Sequence, residues 1–159
     1  MLSTNVVGAS LITAASLRHL SAEAVVAYLS SDSAFRPRQS LVPYAASKAA
    51  LEVTIKGWRV EHPDRRFLNV IIGPTMGTDF GTNFDLEVMM AAVPEWLAHG
   101  DIQIKSMTPE RLASVMLASL AIALDHPEID MQDLVLRPPG PLAKSFEDLM
   151  AIAAAQAAP

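Results

Sequence analysis

The chain has 159 residues, of which 51% are hydrophobic, a length and composition that suit one domain with a real core. Seventeen acidic against twelve basic residues give a net charge of −5, and the basic residues are scattered, so no footprint for nucleic acid is present. The absence of cysteine excludes disulfides, thiolate zinc sites, iron–sulfur clusters and cysteine nucleophiles, and it fits a cytoplasmic location.

The opening stretch "MLSTNVVGASLITAASL" carries no charged side chain, and the first cation, Arg18, follows the apolar part instead of preceding it. That order is wrong for a signal peptide. Ser3, Thr4, Asn5, Ser10 and Thr13 interrupt the run well short of a membrane span. Val7, Leu11, Ala14 and Leu17 recur at helical spacing with further apolar residues on the flanks, which predicts a helix over 4–20 buried on more than one side. "AVVAYL", 24–29, is a short β-favouring apolar run, as expected of a strand covered on both faces.

After a polar loop, Pro43 opens a helix expected to run to about Val60, where His62-Pro63 closes it. "FLNVII", 67–72, reads as a second buried strand and ends in the glycine-rich "GPTMGTDFGTN". Residues 84–99 are expected to be helical with a break at Pro94. Thr108-Pro109-Glu110 is an N-cap followed by proline at the first helical position, for a helix to about Leu124. "DLVLRP", 133–138, is a third strand, and "PPGP" separates it from an Ala-rich helix at 142–157.

This alternation predicts an α/β fold: a parallel sheet of about three strands with helices on both faces. No repeat, linker or charge block supports a second domain. Ligands bind such sheets at the carboxyl ends of strands, here the loops that begin at Ser30 and Gly73.

Both loops carry candidate chemistry. Tyr44 and Lys48 stand one helical turn apart. A phenol titrates near pH 10 and can shuttle protons at neutral pH if a neighbouring cation favours its ionised form. Ser31, at the end of the preceding strand, could hydrogen-bond a carbonyl or alcohol oxygen. A proton donor and an oxygen-orienting hydroxyl suit hydride transfer, because the oxygen needs a proton as the carbon accepts hydride. An isolated Tyr-x-x-x-Lys pair has an ordinary reading too, a half-buried tyrosine beside a solvated lysine.

The stretch "AVVAYLSSDSAFRPRQSLVPYAASKAALE" resembles the active-site segment of the short-chain dehydrogenases/reductases, an apolar strand ending in Ser followed by Tyr-x-x-x-Lys on a helix. Asn5 in "TNVVGA" is similar to the asparagine of that family's Asn-Ser-Tyr-Lys tetrad, and "NVIIGPTMGTDF" resembles its loop after the next strand. The resemblance implies a Rossmann-like fold, an NAD or NADP cofactor and a small carbonyl or alcohol substrate. It makes Tyr44 the acid/base and Lys48 the group that lowers the tyrosine's pKa and contacts the nicotinamide ribose. Ser31 would orient the substrate oxygen, and Asn5 would hold a relay water. Gly73, Pro74, Thr75 and Thr78 would line the cofactor, with Thr78 meeting the carboxamide.

Competing structural readings exist for each. Asn5 could cap a helix, Ser30 or Ser33 could take the place of Ser31, and Thr78-Asp79 could be turn residues.

Two departures stand out. The family's usual Pro-Gly is Gly73-Pro74 here, which moves the fixed φ by one place. The glycine-rich turn that cradles a dinucleotide pyrophosphate is missing, since Gly73, Gly77 and Gly81 are spaced four and four. The sequence therefore resembles the C-terminal half of such an enzyme, a truncated Rossmann-like domain with an open apolar edge beside residues 24–29. A non-catalytic fragment or interaction partner is the competing function.

The resemblance implies a homo-oligomer surface on helices 4–20 and 43–60, whose apolar character core packing explains as well. The 84–107 stretch, with Met89, Met90, Val93, Trp96 and Leu97, corresponds to the family's variable lid and offers an apolar wall, or else ordinary core. The histidines at 19, 62, 99 and 126 show no metal-binding spacing, and no Gly-x-Ser-x-Gly elbow is present.

Overall fold

Why β2 is the centre of the structure follows from its sequence. In the computed structural model, which describes residues 1–82 and 84–157, Arg66–Ile72 forms β2, and six of its seven residues are buried. It pairs in parallel with β1 (Val25–Ser31) on one side and β3 (Asp133–Leu136) on the other, giving the order β1-β2-β3. Successive side chains of a strand alternate between faces. Phe67 and Asn69 therefore face α2 (Val42–Glu61), while Arg66 reaches the opposite side and donates to the Ala123 carbonyl of α4 (Pro109–Asp125) at 2.5 Å. The fold is thus α/β, with a three-strand parallel sheet between helices, as expected.

The core is small. Tyr28, Leu51, Ile55 and Phe67 form its centre, with Ala9, Leu17, Val26 and Trp58 packed around them. Tyr28 buries its ring there and shares a 2.5 Å hydrogen bond with Thr13.

Two expectations about burial are corrected. The first helical segment runs as a π-helical turn over Ser3–Gly8, an α-helix α1 over Ala9–Ser16 and a 3-10 turn over Leu17–His19, yet only Thr13 along it is buried. Leu11 and Ile12 are 65% and 70% exposed, because the segment packs by one side only, chiefly onto α2 and the Tyr28 face of β1. Strand β1 is likewise covered on one face: Tyr28 and Ser30 are buried and alternate with exposed Ala27 and Leu29. The face of β1 that carries Ala27 and Leu29 has less packed over it than the face that carries Tyr28, so the apolar run outlasts its burial.

The expected break at Pro94 is absent. Helix α3, Leu86–Ala98, starts on an Asp85 cap that accepts from the amides of Glu87 and Val88 and continues through the proline. It stops at Gly100, whose φ of +67° is the left-handed conformation that glycine adopts without cost. Thr108 caps α4 with Pro109 next, as read from the sequence. The C-terminal helix α5 begins at Phe146, four residues later than expected. Among the described residues, no helix is long and apolar enough to cross a membrane.

Register places the chemistry. Ser31 at the end of β1 pairs with Ile72 at the end of β2, so the loops that follow the two strands leave the sheet side by side.

Candidate active site

Ser30 and Ser31 end β1 and Ser33 follows in the next turn, and the structure separates their roles. Ser30 is turned into the protein, where its hydroxyl donates to the Glu52 carboxylate of α2 at 2.5 Å. Ser33 receives a hydrogen bond from Arg38 at 2.9 Å. Ser31 accepts from the Ser33 amide at 3.2 Å and stands as a hydrogen-bonding neighbour of the Tyr44 phenol. The alternatives Ser30 and Ser33 are therefore engaged elsewhere, and a hydroxyl that accepts through one lone pair still has its proton to donate.

Tyr44 sits in the first turn of α2, half-buried, with Phe80 edge-on at a ring separation of 5.0 Å. Burial holds its phenol above the ordinary value of 10.0, and the Asp32 charge adds to that. Ser31 and the Arg38 guanidinium work the other way, favouring phenolate. The lowering expected from Lys48 is not what the site shows. The lysine follows one turn later, but its ammonium donates to the Leu29 carbonyl on β1 at 2.7 Å and lies 5.8 Å from the centre of the Tyr44 ring. Lys48 itself is held below its ordinary 10.5 by burial, against the opposing pull of Glu52.

Asn5 meets the site from behind. Its amide donates to Ser47 at 3.0 Å, and Ser47 donates to the Tyr44 backbone carbonyl at 2.8 Å, so the asparagine braces the helix start and is not itself a cap. Asn5 and Lys48 also line a groove of about 290 Å³ along the exposed side of β1, together with Thr13, Ala27 and Leu29.

The second loop is explained by close packing. A Cβ on Gly73 would come within 3.0 Å of the Arg137 side chain and 3.3 Å of the Leu136 carbonyl, while the Gly73 amide donates to that same carbonyl at 2.8 Å. The glycine has to precede Pro74 because the chain is still paired with the end of β3 there. Thr75 turns back to the Gly73 carbonyl at 3.1 Å. Thr78 is exposed and accepts from the amide of Phe80, the residue whose ring packs on Tyr44. Beyond it, Met89, Val93, Trp96 and Leu97 are partly buried and Met90 is exposed. Trp96 donates to the Gln39 carbonyl at 3.1 Å and ties α3 to the loop between β1 and α2.

Sequence reasoning missed Asp32, Arg38, Glu52 and Phe80. The charges in "SSDSAFRPR" were visible, but which of them pair depends on the turn that folds the loop back.

Tyr44 and Lys48 thus stand one turn apart on α2, the helix that follows Ser31, and Asn5 reaches the Tyr44 backbone through Ser47. A comparison with curated proteins found no match. The family model for short chain dehydrogenases matches residues 1–88, over half of the chain and every residue of the Asn5, Ser31, Tyr44 and Lys48 set, and the chain belongs to that family.

Proposed function

We propose that the protein is an NAD- or NADP-dependent oxidoreductase acting on a small carbonyl or alcohol, with Tyr44 as acid/base. The observation that carries this reading is the placement of Ser31 at the carboxyl end of a parallel strand, with Tyr44 and Lys48 in the first two turns of the helix that follows and Lys48 bonded back to that strand at Leu29. Tyr44 holds a proton at Oη at neutral pH, because burial keeps its pKa above 10.0, and so is poised to donate to a carbonyl oxygen. Ser31 donates to the same oxygen and fixes its direction.

The donor set fits the nicotinamide-ribose end of a dinucleotide: the Tyr44 phenol, the Lys48 ammonium, and the backbone from Gly73 to Thr75 with Pro74 between them. When bound, the dinucleotide supplies or accepts the hydride. A glycine-rich pyrophosphate cradle is not among the 159 residues. Lys48 keeps two N–H donors beside its bond to the Leu29 carbonyl, enough for a ribose hydroxyl.

Homo-oligomerisation through the first two helical segments belongs to the same reading. Leu11, Ile12, Val53 and Val60 are each more than 60% exposed on α1 and α2, and a second copy could cover them.

The second reading, a non-catalytic partner protein, is favoured by the lack of a glycine-rich pyrophosphate turn among the 159 residues. Turnover of a carbonyl panel with NADH and NADPH, compared with Tyr44→Phe, separates the two. Loss in the variant supports the oxidoreductase, and equal rates reject Tyr44 as acid/base.

A further inference from the structure

Directly after Ser31, Asp32 is buried to 5% exposure and surrounded by cations. Its two oxygens receive the two terminal nitrogens of Arg38 at 3.0 and 2.9 Å, fork to fork. Arg137, the residue after β3, brings a third nitrogen to 3.2 Å. Arg38 also donates to Ser33, whose amide donates to Ser31, and Asp101 lies 3.9 Å from Arg38 and 3.5 Å from Arg36. One cluster therefore joins the loop after β1, the end of β3 and the turn after α3.

A buried ion pair adds little stability over an apolar replacement, so its geometric consequence is the informative one. The fork on Asp32 leaves the turn one arrangement. Arg38 then fixes Ser33, and the Ser33 amide occupies one lone pair of Ser31, which keeps the Ser31 proton pointing away from that amide.

We propose that Asp32, clamped by Arg38 and Arg137, is a positioning residue that holds the Ser31 hydroxyl against the Tyr44 phenol. The inference rests on the reading of Ser31 and Tyr44 as the reacting pair. The groups facing Tyr44 are Ser31 and Asp32 from the end of β1, Arg38 from the following loop, Phe80 from the loop after β2 and Lys48 from its own helix.

Removing Asp32 would change the charge at Tyr44 as well as the position of Ser31, so a coupling measurement is needed. The chain contains two tyrosines, and 3-fluorotyrosine, whose phenol ionises at lower pH, gives each a ¹⁹F signal, assigned with Tyr28→Phe. The Tyr44 titration midpoint is read with and without Ser31→Ala, in the otherwise unchanged chain, with Asp32→Asn, and with Arg137→Met. Ser31→Ala is expected to raise the midpoint in the unchanged chain and to move it about half as far or less in the other two. Arg137 is 33% exposed, so its variant carries the comparison if Asp32→Asn does not fold. Equal displacement in all backgrounds, including none in any, overturns the proposal whether or not the chain has turnover. Coupled displacement in a chain whose turnover survives Tyr44→Phe would reject the function proposed for the site and leave the positioning role of Asp32 standing.

Discussion

Ser30 and Glu52 form a 2.5 Å hydrogen bond inside the protein, between the end of β1 and the third turn of α2. Asn69 on β2 donates to the other Glu52 oxygen at 2.7 Å, so the helix that carries Tyr44 and Lys48 is fastened to two strands by one carboxylate. Because neighbouring strand residues point opposite ways, this bond turns Ser31 away from Glu52.

Replacing Ser30 and Ser31 should therefore have different consequences. Ser30→Ala strands part of a buried carboxylate and is expected to cost about 1.5–3 kcal/mol of stability. Ser31→Ala is expected to change melting little and to lower turnover. Urea unfolding and initial rates of the two variants make the comparison, and a swap of the two effects would reassign the functional serine.

Tyr44→Phe keeps the ring against Phe80 and removes only the hydroxyl. Turnover is expected to vanish, with a circular dichroism spectrum and melting temperature close to those of the unchanged chain. In the unchanged enzyme, alcohol oxidation should rise toward alkaline pH, since the phenol, held above 10.0 by burial, must lose its proton to act as base. A flat profile from pH 7 to 10 would speak against that role.

Stability should also respond to alkali. Burial raises both Tyr28 and Tyr44 above 10.0, so each folded phenol keeps its proton where the unfolded one loses it. Their contribution is complete below pH 10 and declines as pH climbs past 10 toward the folded values. Lys48 has the opposite sign: its lowered pKa means a burial penalty that is relieved as pH approaches 10.5. The expected result is a melting temperature that falls beyond pH 10, with a shallower fall in Tyr28→Phe.

Phe67 is fully buried at the centre of the core cluster. Phe67→Ala is expected to cost about 3–5 kcal/mol, and in so small a core that is a large share of the total. Loss of the cooperative thermal transition is the expected observation.

The strands and main helices could be read from periodicity and punctuation because those signals are local: apolar runs of strand length, Pro43 and Pro109 at helix starts, Gly and Pro at the ends. Burial could not. The apolar stripe through Leu11 and the run through Leu29 look like core in sequence, yet both residues are exposed, since exposure depends on which neighbour arrives. The site shows the same division. Ser31 and Tyr44 follow from spacing, whereas the Lys48 bond to Leu29 and the fork of Arg38 on Asp32 depend on backbone placement that spacing does not encode.

The most direct test of the proposed function is a fluorescence titration of the 159-residue chain with NADH and with NADPH, repeated with Lys48→Ala. Saturable binding of either nucleotide, weakened in the variant, is the expected result and would place Lys48 among the groups that hold the cofactor. A folded chain that binds neither nucleotide would contradict dinucleotide-dependent catalysis and favour the non-catalytic reading.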